Sequence, residues 1–132
     1  MVVNASAPAP AAVTLYLFGG SNYAVYIGCL TCNSLHLESV CNQFGTYGSQ
    51  FASLSIWNQF GLYGSQFATG SPWNQFSTGG PKIVGSDNLF YGYFTTNKFQ
   101  LNRTTIPSLV NVLNYYLSTG DLSATQTFSC GS

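Results

Sequence analysis

The sequence predicts an α+β fold: small antiparallel β-hairpins flank a 16-residue, turn-rich repeat of aromatic residues and glycine, and one amphipathic helix follows at the C-terminus. Three observations carry this prediction. Two apolar segments each contain a turn signal, residues 39–76 repeat every 16 positions, and residues 104–120 place apolar side chains at helical spacing. A chain of 132 residues has the length of one domain. We therefore expect a flexible spacer over residues 1–12 and a single repeat-containing domain over residues 13–132.

Two segments have the pattern of β-hairpins. Residues 13–30, VTLYLFGGSNYAVYIGCL, are two β-rich runs around Gly-Gly-Ser-Asn. Residues 82–96, KIVGSDNLFYGYFTT, repeat this plan around Gly-Ser-Asp-Asn. The two segments also match at a constant distance of 64 positions, which equals four repeat lengths. The matched pairs are Gly28 with Gly92, Thr31 with Thr95, and Asn33 with Asn97.

The repeat between the hairpins begins at Ser39, Ser55 and Ser71. Each unit reads Ser, then Val, Ile or Pro, then Cys or Trp, then Asn-Gln-Phe. The rings follow one another at spacings of three and four, which favours helical turns over strands, while glycines interrupt any long helix. We therefore expect short helical or 3₁₀ turns whose rings face one common interior, closed at each end by a hairpin. These rings are Phe44, Tyr47, Phe51, Trp57, Phe60, Tyr63, Phe67, Trp73 and Phe76.

Residues 104–120, TTIPSLVNVLNYYLSTG, have the pattern of an amphipathic helix. Thr105 is placed to cap its start, and Gly120 is placed to end it. The apolar residues at helical spacing are Ile106, Leu109, Val110, Leu113 and Leu117. We expect this helix to pack on the rest of the domain, and the tail after it to be tied down by a disulfide of Cys130.

The cysteines are Cys29, Cys32, Cys41 and Cys130. An even number in a chain of low charge favours disulfides and an oxidising compartment, so we expect a secreted or cell-surface protein, although no intact secretion signal is visible. Sequence leaves three pairings open, and we choose Cys32–Cys41 with Cys29–Cys130. Zinc at the C-x-x-C motif would require a second pair of ligands, and a redox site would require a βαβ context, so structural disulfides are favoured.

The composition limits the partners. Three Lys and Arg residues balance three Asp and Glu residues, so the chain has no basic stripe for nucleic acid. The chain contains no run of 18 apolar residues, so we expect no membrane span. No motif indicates a cofactor or metal. Charged residues make up 5% and aromatic residues 16% of the chain. Such a neutral, amide-rich surface favours self-association or adsorption to an extracellular polymer such as a polysaccharide.

The run CLTCNSLHLESVCNQFGTYGSQFASLSIWNQFGLYGSQF, followed by SPWNQF, PKIV and GYFTTN, resembles small secreted bacterial proteins of unassigned activity. Those proteins carry tandem N-x-[FY]-G-x-Y-G-S-x-[FY]-S-x-x-S-I-W-N units, then a PP-x-IV strand and a GYLTxN strand. The resemblance covers about residues 26–99 and holds in order as well as composition. In this chain Phe often replaces the family's Tyr, Gln replaces its Lys, and Ala52 and Ala68 replace Ser. The resemblance implies secretion and names no activity.

Two sets of residues are candidates for chemistry or binding. His36 with Glu38 could form a general base and its acidic partner, with Cys41 or a serine as nucleophile, although no G-x-S-x-G motif is present. Aromatic rings and amides of the repeat could instead bind a sugar, because rings stack on pyranose faces and amides bond hydroxyl groups. The competing interpretation is that these rings form the core and the asparagines cap turns. The sugar-binding candidates are Tyr47, Trp57, Asn58, Tyr63, Trp73 and Asn74.

These observations favour a secreted structural or interaction protein of a cell surface or extracellular matrix, able to associate with itself. A carbohydrate-binding module that uses the repeat aromatics is the first alternative. A small hydrolase that uses His36 is the second.

Overall fold

The computed structural model of the protein describes residues 13–131; the predicted spacer over residues 1–12 lies outside this part of the chain. The α+β class is confirmed, because a four-stranded sheet is combined with two C-terminal helices. The turn-rich repeat occupies the long connection between β2 and β3. The elements are β1 (Leu15–Gly19), a 3₁₀ turn (Ser21–Tyr23), β2 (Val25–Cys29), β3 (Lys82–Gly85), β4 (Phe90–Tyr93), α1 (Pro107–Thr119) and α2 (Leu122–Cys130).

Both predicted hairpins form, but they join into one antiparallel sheet of order β2-β1-β3-β4. The two central strands pair directly, with Tyr16 opposite Val84. The predicted hairpins flank the repeat as expected, and the sequence pattern did not indicate that they pair with each other. Pairing the hairpins through β1 and β3 leaves two edge strands instead of four, which reduces the unpaired backbone of the sheet.

The sheet still closes the repeat at both of its ends. At the first end, the Cys29 N–H donates to the Glu38 carbonyl, with 2.8 Å between nitrogen and oxygen. At the other end, the Thr96 N–H donates to the Pro72 carbonyl, again at 2.8 Å. The single sheet therefore reaches the first repeat from β2 and the third repeat from the segment after β4.

The 64-residue correspondence is also structural. Gly28 and Gly92, at the ends of the outer strands, have φ angles of 121° and 95°. Each outer strand then forms a parallel bridge to the loop that follows it, and these bridges again lie 64 positions apart: Cys29 with Ser39, and Tyr93 with Arg103. The two halves of the sheet thus continue into equivalent loops.

The predicted helix is found as α1, and the structure adds a second one. Gly120 ends α1 in the left-handed conformation, as predicted, whereas Ile106 and not Thr105 occupies the N-cap position. Asp121 is the N-cap of helix α2, and its carboxylate accepts from the Ala124 N–H at 3.0 Å. Its sequence LSATQTFSC carries no continuous apolar stripe, which explains why hydrophobic spacing did not predict it.

The core lies between one face of the sheet, the repeat and the helices. Alternate residues of β1 point into it, so Leu15 and Leu17 are buried while Tyr16 and Phe18 are half-buried. Within residues 13–131, no helix has the length and apolar character needed to cross a membrane. The fully enclosed aliphatic side chains are Leu17, Ile27, Val40, Ile56, Ile83 and Leu113.

All four cysteines form disulfides, but in a different pairing from the predicted one. The bonds are Cys29–Cys32 and Cys41–Cys130. Cys41 occupies the same repeat position as Trp57 and Trp73, 16 and 32 residues before them, and this row faces the helices. Cys130 at the end of α2 therefore reaches Cys41, and the tail is tied down as expected. The two disulfides are compatible with an oxidising, extracellular environment.

The two disulfides are predicted to contribute unequally to stability. Cys41–Cys130 links residues 89 positions apart and Cys29–Cys32 links residues 3 apart, so loop-closure entropy assigns them about 4.5 and about 2 kcal/mol, respectively. We expect the C41A/C130A variant to lose roughly twice as much free energy of unfolding as C29A/C32A. Urea denaturation without reductant measures both values. Equal losses would show that loop closure does not dominate.

Candidate functional site

The repeat is built as a ribbon of consecutive tight turns, here called the turn ribbon (residues 33–79). At almost every third residue a backbone N–H donates to the carbonyl three positions earlier, as from Asn58 to Ser55 and from Gly61 to Asn58. Successive turns of one unit begin three residues apart, except for one pair that begins four residues apart. Four intervals of three and one of four give the 16-residue period. The bonding resembles that of the predicted 3₁₀ turns, but within the ribbon the turns do not merge into a helix.

Serine and asparagine side chains hold these turns. The Ser55 hydroxyl accepts from the Trp57 N–H at 3.0 Å, and the Asn58 side-chain oxygen accepts from the Phe60 N–H at 3.1 Å. The Asn58 amide also donates to the Ala52 carbonyl at 3.1 Å. Such local side-chain bonds are the reason these residue types favour turns. Two of the three N–H groups in a capped turn are therefore satisfied locally.

The longer step needs glycine. A Cβ atom on Gly64 would collide with the backbone of Asn58, and one on Gly48 would collide in the same way with Asn42. The Gly64 and Ser65 N–H groups both bond the Gly61 carbonyl. This close approach allows the ribbon to begin the next repeat in the same orientation.

The two tryptophans point inward and connect successive repeats. The Trp57 and Trp73 rings are 3% and 2% exposed, and their centroids lie 5.5 Å apart in a stacked arrangement. Trp57 Nε1 donates to the Val40 carbonyl at 2.7 Å, and Trp73 Nε1 donates to the Ile56 carbonyl at 2.6 Å. Each tryptophan therefore bonds the backbone of the preceding repeat.

Five phenylalanines point outward, which corrects the prediction of one common interior. Each follows a glutamine, and each Gln-Phe pair follows a serine or asparagine that accepts from the Phe N–H at 3.0–3.1 Å. We call these units the Gln-Phe corners. The exposed fractions are 99% for Phe44, 91% for Phe51, 88% for Phe60, 83% for Phe67 and 86% for Phe76.

The sequence contains a signal that separates the two directions. The inward Trp57 and Trp73 follow Ser-Ile and Ser-Pro, so an apolar residue precedes the ring. The outward phenylalanines follow Asn-Gln or Ser-Gln, so a polar amide precedes the ring. Ring spacing alone cannot distinguish them, because both kinds of ring occupy the third position of a turn.

Three adjoining clefts run along α2, between this helix and the turn ribbon; together they are called the α2 groove. Their volumes are about 330, 490 and 460 Å³. The first two share Gln43 and Phe44, and the last two share Gln50 and Phe51. The helix side is formed by Cys130, Gln126 and the start of α2, and the ribbon side by the corners at Phe44, Phe51 and Phe60.

The six residues predicted to bind a sugar do not form one open site. Neither buried tryptophan ring has a face free for stacking. Asn58 and Asn74 use their amides on the turns themselves. Tyr63 is 7% exposed, and the half-buried Tyr47 packs its ring 5.1 Å from that of Tyr26.

The proposed hydrolase residues have structural partners. His36 is exposed and occupies a turn position equivalent to Ala52, where its Nδ1 accepts from the Glu38 N–H at 3.1 Å. The Glu38 carboxylate accepts from the Tyr26 hydroxyl at 2.6 Å, and burial together with this carboxylate raises the pKa of Tyr26. Cys41 is in a disulfide and offers no thiolate. Within the described residues, no three His, Cys, Asp or Glu side chains form a group that could hold a metal ion.

Comparisons with known proteins give no assignment: no protein-family model, no curated protein and no solved structure matches the chain. The function must therefore be argued from the geometry of the ribbon and its corners.

We predict that neighbouring residues of one corner differ in their effect on stability. Asn58→Ala removes one acceptor and one donor from the turn, which costs about 1–3 kcal/mol. Gln59→Ala is the matched control, because this exposed side chain lines the α2 groove and its loss is expected to change stability by less than about 0.5 kcal/mol. Urea denaturation of both variants tests the role of the caps. An unchanged midpoint for Asn58→Ala would contradict it.

Proposed function

We propose that the protein is a secreted structural or interaction protein of a cell-surface or extracellular layer, and that its Gln-Phe corners are the adhesive surface. Through them it attaches to further copies of itself or to an extracellular polymer. The observation that supports this most is the exposure of five phenylalanine rings on backbone that is hydrogen-bonded in place. A soluble domain rarely leaves so many large apolar side chains in water unless they contact a partner.

The exposed area is sufficient for a specific interface. An aromatic side chain buries about 150–250 Å², so five rings offer on the order of 1,000 Å². A standard protein interface buries about 800 Å² on each partner. Summed over all five corners, the exposed apolar area is thus comparable to one side of a standard interface.

The charge of the chain supports the same proposal. Lys and Arg number three, as do Asp and Glu, so copies of the protein repel each other little. The side chain beside each outward ring is a glutamine, which both donates and accepts hydrogen bonds. A surface of rings and amides is thus compatible with itself and with other uncharged polar surfaces.

Secretion is supported by the disulfides and by the resemblance to small secreted bacterial proteins. We propose that this resemblance reflects membership of that family. The two [FY] positions of the family's unit correspond to corner phenylalanines in this chain. With Phe at these positions and Gln before them, the proposed adhesive surface of this protein is uncharged.

A five-site variant tests the proposal. Replacing Phe44, Phe51, Phe60, Phe67 and Phe76 by serine removes the rings and keeps the turn caps, so the fold is expected to remain. Self-association measured by sedimentation velocity, or adsorption to insoluble cell-wall polymer measured by co-sedimentation, should weaken by at least about tenfold, since the loss of all five rings has to cost only about 1.4 kcal/mol in total to produce that change.

The control for this variant replaces by serine three exposed leucines that lie outside the corners and the α2 groove, namely Leu37, Leu62 and Leu101, and leaves the corners unchanged. It should retain most of the association. A wild-type protein that stays monomeric at high concentration and adsorbs to no polymer would refute the proposed function.

A further inference from the structure

We infer that the α2 groove is a binding site for a linear, uncharged polysaccharide. The inference rests on the proposed function, because it names one partner for part of the same surface. It assigns separate roles to corners inside the groove and corners outside it.

The shape of the groove fits a chain-like ligand. Three corners contribute Phe44, Phe51 and Phe60 to it in succession, and the three clefts adjoin through shared residues. Helix α2 has nine residues and is therefore about 13 Å long. A linear polymer lying along the helix would meet a similar Gln-Phe pair at each of three subsites.

The chemistry of each subsite fits a sugar. The phenylalanine rings supply flat apolar faces for the C–H faces of a pyranose ring. The glutamine amides supply a donor and an acceptor, as hydroxyl groups require. The Gln50 amide donates to the Ser123 hydroxyl and the Gln126 side-chain oxygen, both at 3.3 Å, so it is directed toward α2 by long bonds that a ligand hydroxyl can replace.

The groove is almost without charged side chains, which disfavours charged polymers as ligands. Among the residues that line it, Asp121 alone carries a charged side chain, and one oxygen of its carboxylate already accepts from the Ala124 N–H. An anionic polymer would find no cation there, and a polycation would find a single carboxylate. A neutral polymer of hydroxyl groups is the complementary ligand.

The repeat provides a matched pair of variants for the test. Phe51 and Phe67 are equivalent residues in successive repeats, both more than four-fifths exposed and both on a serine-capped turn. Phe51 lines two of the clefts, whereas Phe67 lines none of the three. Phe51→Ser and Phe67→Ser should therefore have equal stability by urea denaturation and differ only in binding.

The experiment is native affinity electrophoresis, with full-length protein migrating through gels that contain laminarin, hydroxyethyl cellulose, galactomannan or dextran, and polygalacturonate as the anionic polymer. We expect at least one neutral polymer to retard the wild type and the anionic polymer not to. Phe51→Ser should raise the dissociation constant by about tenfold or more, and Phe67→Ser should raise it by less than about twofold.

Three outcomes overturn the inference. The first is that no neutral polymer retards the protein. The second is that the anionic polymer retards it as strongly as the neutral ones do, and the third is that the two variants lose binding equally. If self-association still depends on the five rings in any of these cases, a second copy of the chain is the occupant and the proposed function stands. If the five-serine variant also associates and adsorbs like the wild type, both proposals fail.

Discussion

The structure depends on one constraint: a backbone that turns every three residues must satisfy its N–H groups without the ladder of a helix or sheet. The turn ribbon meets this constraint locally, with a carbonyl three residues back for one N–H and a serine or asparagine side chain for another. Buried N–H groups without partners would cost about 1–3 kcal/mol each. This cost applies to the serine caps before Trp57 and Trp73, which are buried, whereas the caps of the Gln-Phe corners are exposed to water.

Once the caps fix the turns, the direction of each third residue is set by its place in the 16-residue unit. The serine turns at Ser55 and Ser71 direct tryptophan inward, where it bonds the preceding repeat and stacks on its equivalent. The turns at Asn58 and Ser65 direct phenylalanine outward. A single local rule thus builds both the core and the surface, and the outward rings do not have to be buried for the ribbon to hold.

Much of the fold could be predicted from sequence because its signals are local. Turn residues between β-rich runs predicted both hairpins, and apolar spacing together with Gly120 predicted α1. The repeat predicted the period of the ribbon. The rest depends on tertiary position. The direction of Phe60 relative to Trp57 follows from rotation of successive turns, the Cys41–Cys130 bond follows from the location of α2, and α2 itself has no apolar stripe. The candidate site was missed because an exposed phenylalanine contradicts the general rule that large rings are buried, although the polar residue before each outward ring distinguishes it in the sequence.

Separating stability from the outward rings has a consequence for how the surface is used. The cap at each corner bonds the backbone of the phenylalanine and not its side chain, so the residues at the second and third positions of the turn are free to change. The turn at Asn33 illustrates this, since Ser34 and Leu35 stand where Gln and Phe stand elsewhere, on the same kind of side-chain cap. Along the ribbon, the caps and tryptophans keep the scaffold constant, and under the proposed function the corners set its affinity. On that proposal, substitution at the corners changes the partner without a change in the core.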